Sequence, residues 1–76
     1  MRKDEFLATF VQLLQCESTP SLTDRLKDID EWDSMAMMVI IAYFDTKLKT
    51  PVTFAQLEKA KTVRDIASMV PNLEEE

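Results

Sequence analysis

An almost unbroken apolar stretch, Met35 to Phe44, stands directly behind the run Glu31-Trp32-Asp33-Ser34. It falls short of the roughly 18 uncharged apolar residues that mark a membrane span, and no other run reaches that length. The stretch therefore has to be buried by the rest of its own chain. On a helical wheel Met37, Ile40, Ile41, Phe44 and Leu48 share one face, the expected core side of a helix from Ser34 to about Lys49. Thr50-Pro51 ends it, because the residue before proline is pushed out of the helical region.

Seventy-six residues, 46% of them apolar, make one domain with a single modest core rather than a disordered chain. Ahead of the central helix, Phe6, Leu7, Phe10, Val11, Leu13 and Leu14 recur at helical spacing and predict a helix from about Asp4 to Gln15. Asp4 and Glu5 fall in its first turn, where the helix dipole favours acids. Glu17 to Asp33 is too long for a plain loop in a compact domain and carries apolar anchors of its own at Leu22, Leu26, Ile29 and Trp32. It reads as a structured connector, with Ser21 and Asp24 placed to cap a short helical turn. Downstream, Thr53 is placed to cap a brief helix through Lys59 anchored by Phe54 and Leu57. Thr62-Val63-Arg64-Asp65 is a capping box opening a last helix through Met69 or Val70, ended by Pro71. Residues 71–76 form an acidic tail closing on Glu74, Glu75 and Glu76. The expected architecture is all-α: a small bundle of three main helices and one short one, with a long structured first loop and no strands.

Absences narrow the chemistry. Without histidine there is no imidazole base, Ser–His pair or His metal ligand, and one cysteine leaves a structural zinc site almost no ligands. Without glycine, phosphate-cradling loops and EF-hand turns have nothing to build on. Asp28 and Asp30 stand like the start of a calcium loop, but Trp32 falls where the next ligand belongs; a solvated acidic face is the better reading. A net charge of −5 with no Lys/Arg cluster along the sequence argues against nucleic acid. The lone Cys16 and an N-terminus that turns acidic at once point to a reducing, cytoplasmic setting. No base–nucleophile pair is visible, so an enzyme is not expected.

Ser34 sits on the first turn of the most apolar helix, beside Asp33. Taken alone, both residues are helix caps. The motif Asp33-Ser34-Met35 resembles the acyl carrier protein family, whose serine stands in an Asp-Ser-Leu motif at the start of the second helix. The long pegged loop before it, and Pro-Val-Thr-Phe and Thr-Val after it, follow the family's order of elements over most of the chain. The resemblance implies that Ser34 bears a covalent 4′-phosphopantetheine arm taken from coenzyme A by a phosphopantetheinyl transferase. It also implies that the arm carries acyl groups as thioesters between acyl-loading and acyl-accepting enzymes. Asp33 is then both motif partner and cap.

Trp32 departs from the family's common glycine before Asp-Ser. It reads as a core peg in preference to a partner contact. Met35, Met38, Val39 and Ala42 lie off the assigned core face, an apolar excess that suits a docking surface on a monomer. Carriers of fatty acid synthesis typically have acids along this helix; here Asp45 stands against Lys47 and Lys49, and the acids lie in the loop. A carrier for a specialised biosynthetic pathway therefore fits better than a housekeeping one. The other reading is an unmodified helical interaction module that binds a partner through the Met-rich face.

Overall fold

The computed structural model describes residues 2–73, so the Glu74–Glu76 end of the expected acidic tail lies outside the described residues. The described residues form four α-helices: α1 (Lys3–Leu14), α2 (Ser34–Thr46), α3 (Phe54–Lys59) and α4 (Val63–Ala67). A single 3-10 turn, Leu26–Asp28, lies in the long first connection. Among the described residues the only β-type pairing is one isolated antiparallel bridge between Arg25 and Thr62.

The core collects one stripe from each element. Phe6, Phe10 and Leu14 of α1 and Ala36, Ile40 and Phe44 of α2 are buried, each set on an i, i+4 line. Leu57 of α3 and Val63, Ile66 and Ala67 of α4 are fully enclosed. The connector contributes Leu22 and Leu26, both buried, while Ile29 and Trp32 pack half-buried against the same cluster. The Trp32 ring stacks on Phe10 with centroids 6.1 Å apart and planes inclined by 17°.

Several details differ from the sequence expectation. The central line of α2 is Ala36–Ile40–Phe44, with Met37 and Ile41 flanking it half-buried. The small Ala36 gives little apolar signal, so a reading weighted by large side chains places the face beside its true centre. The helix also ends at Thr46, before Lys49. Lys49 takes φ 56°, and the Thr50 N–H donates to the Phe44 carbonyl at 3.0 Å, so the chain has already turned when Pro51 arrives. Leu48 thus packs on the core from outside the helix. Phe54 is exposed; the anchor before α3 is Val52, buried ahead of the Thr53 cap. Ser21 and Asp24 brace each other, the Ser21 N–H and Oγ donating to the two carboxylate oxygens, and close a turn upstream of the 3-10 segment rather than capping a helix. The last helix ends at Ala67 and runs on in i→i+3 turns, Met69 N–H to Ile66 O and Val70 N–H to Ala67 O, which carry the buried Val70 to Pro71.

A chain without glycine still has to reverse direction after its helices. It does so with Gln15, Lys49 and Asn72 at φ 57°, 56° and 59°. After α1 the Cys16 N–H reaches back to the Val11 carbonyl at 3.1 Å, the longer hydrogen bond of a Schellman end.

Candidate functional site

The connector reaches α2 through Trp32, whose contact with Phe10 fixes the approach, and Asp33 opens the helix in an extended conformation. Asp33 Oδ1 accepts the Ala36 N–H at 2.9 Å, satisfying one of the donors a helix start leaves free. Such a cap contributes about 1 kcal/mol. Ser34 is the first residue of the helix and is exposed. Its hydroxyl has no hydrogen-bond partner among the described residues. By contrast, Ser21 Oγ is engaged with Asp24 and Thr23, and Ser68 Oγ donates to the Asp65 carbonyl at 2.7 Å. Ser34 thus presents a free alcohol at the positive end of a 13-residue helix.

The residues that the sequence puts off the core face follow Ser34 along α2. Met35 is 73% and Met38 60% exposed, while Ala42 is exposed and Val39 half-buried. They line two grooves. Met35 and Val39 share one of about 370 Å³ with the end of α1, bordered by Glu31 and Asp33. Met38 and Ala42 share one of about 480 Å³ with Pro51 and Val52. Phe54, expected inside, adds a further exposed apolar ring.

Cys16 is half-buried beside Glu31. Burial pushes its thiol pKa up, and the nearby Glu31 carboxylate pushes the same way. It is held as the neutral thiol, a poor nucleophile. Among the described residues no group of three acidic, Cys or His side chains is placed to hold a metal ion. Among the described residues no helix is long and apolar enough to cross a membrane.

The sequence reading missed one arrangement. Arg25, Lys27 and Lys61 line a common groove with Trp32. The Arg25-Leu26-Lys27 alternation was visible in the sequence, but the partner from the far end of the chain was not. Compared with protein-family models, curated proteins and solved structures, the chain gives no significant match.

Proposed function

We propose that the chain is an acyl carrier whose Ser34 takes a 4′-phosphopantetheine arm, serving a specialised biosynthetic pathway rather than housekeeping fatty acid synthesis. One observation carries the reading: an exposed, unengaged Ser34 hydroxyl on the first turn of the most apolar helix, beside the cap Asp33. The site fits the group. The Ser34 hydroxyl supplies the oxygen that bonds to the phosphorus of coenzyme A. The phosphorus–oxygen bond to the nucleotide half breaks, adenosine 3′,5′-bisphosphate leaves, and the serine proton passes to a base of the transferase. The resulting phosphodiester anion lies at the N-terminal end of α2, where the dipole favours a negative charge by roughly 0.3–1 kcal/mol. When bound, the arm supplies a terminal thiol that holds acyl groups as thioesters. Met35, Met38, Val39 and Ala42 form the surface that acyl-loading and acyl-accepting enzymes touch, and the carrier works as a cytoplasmic monomer.

The exposure of Met35 and Met38 also favours a second reading, an unmodified interaction module that docks through the same face. Intact mass after incubation with coenzyme A and a broad-specificity phosphopantetheinyl transferase separates the two. A carrier gains the mass of one arm and an interaction module gains nothing.

A further inference from the structure

The segment from Asp24 to Glu31 carries opposite charges in close succession, and the fold sorts them into different grooves. Asp24, Asp28, Asp30 and Glu31 line one of about 260 Å³, together with Glu17 and Cys16. Arg25 and Lys27 line another, of about 690 Å³, where they meet Lys61. Backbone pairing makes that meeting rigid. Arg25 bridges Thr62, the Leu26 N–H donates to the Lys61 carbonyl at 2.9 Å, and the Val63 N–H donates to the Asp24 carbonyl at 3.0 Å. Three of the nine Lys and Arg residues of a chain with net charge −5 thus line one groove, with Glu58 as its single acid. Arg25 and Lys27 have no ion-pair partner among the described residues. A concave site lined mainly by one sign of charge focuses the field on an incoming counter-charge. Its wall includes Trp32, held by Phe10, and Ala60 adds a second apolar surface.

We infer that this groove selects the cargo: an acyl group that ends in a carboxylate. The inference rests on the reading of Ser34 as the arm's attachment point. Trp32 lines the groove and stands two residues before Ser34, at most about 7 Å along the chain, so the groove lies within reach of a group tethered at Ser34. The acyl body lies along Trp32 and Ala60. The terminal carboxylate meets Arg25, whose planar fork matches two carboxylate oxygens, and Lys61 or Lys27 as a point charge. A neutral acyl group of the same length keeps the apolar part and makes no ion pair with Arg25 or Lys27.

The test loads the full chain with a succinyl- or butyryl-bearing arm from the corresponding acyl coenzyme A, using a broad-specificity phosphopantetheinyl transferase that releases adenosine 3′,5′-bisphosphate. Intact mass reads the loading. The emission of Trp32, the only tryptophan, and the amide NMR signals of Lys61 and Thr62 read the groove. Relative to the arm alone, the succinyl group shifts the Trp32 emission and both amides, and the butyryl group does not. Arg25→Gln combined with Lys61→Gln, both on exposed side chains, loads fully and loses the succinyl shift. Equal shifts with both acyl groups, or a succinyl shift that survives the double variant, overturns the inference. Loading with no shift at all overturns it while leaving Ser34 as the attachment point, whereas no loading at Ser34 overturns both.

Discussion

Asp65 accepts the N–H groups of Lys61 at 2.8 Å and Thr62 at 3.1 Å, and the Thr62 hydroxyl accepts the Asp65 N–H in return. The hydrogen bond from Lys61, then that from Thr62, lowers the Asp65 carboxyl pKa from its ordinary value of 3.8. The folded state therefore holds this proton less readily than the unfolded chain does. The stabilisation is fully present above pH 3.8 and is lost as pH falls through the lower folded value. Urea midpoints measured from neutral into that acid range should fall for the wild type and fall less for Asp65→Asn. Parallel curves would show that these hydrogen bonds contribute nothing to the acid response. At this scale residue type carried much of the information: an Asp before an apolar run, and Thr three places before Asp, announce their caps directly. Phe54 misled because side-chain size does not say which side of a six-residue helix faces inward. The left-handed positions Gln15, Lys49 and Asn72 were invisible because no glycine marked them.

Among the elements, the two long helices were legible from their spacing, and so were the connector's pegs, because Leu22 and Leu26 have no reason to interrupt a polar segment unless they are buried. Leu26 is only 2% exposed and sits at the start of the 3-10 turn. Leu26→Ala should cost roughly 2–4 kcal/mol, as for other buried leucines, which could be most of the stability of a domain this small. A urea midpoint unchanged from wild type would show that the connector is not anchored. The end of α2 was less legible, since Pro51 marks where a helix must have stopped and not where the turn at Lys49 stops it. The outward side of α2 carries a separate expectation. Met35→Ser and Val39→Ser should leave the fold intact and weaken delivery to the cognate enzyme, and added salt should weaken it only modestly because few exposed charge pairs are screened. Some salt dependence is still expected if the loop acids steer encounter. A cognate interaction that collapses at moderate salt yet ignores both substitutions would place recognition on the acidic loop instead.

For the molecule as a whole, the all-α class followed from helical periodicity along a chain without strand-like alternation. The sorting of charge did not. Read linearly, Asp24 to Glu31 is a mixed, acid-rich run. Only the bridge from Arg25 to Thr62 brings Lys61 beside Arg25 and Lys27 and makes a cationic groove on an acidic protein. Ser34 has the opposite character: its neighbours in sequence are its neighbours in space, so the candidate site was legible as a motif, and the structure adds an exposed, unengaged hydroxyl. The measurement that bears most directly on the account is peptide-level mass spectrometry of wild type and Ser34→Ala after treatment with coenzyme A and a broad-specificity phosphopantetheinyl transferase. The wild type should gain one phosphopantetheine group, carried by the peptide containing Ser34, and Ser34→Ala none. A wild type left unmodified by several transferases, or an added group that survives Ser34→Ala, would contradict it.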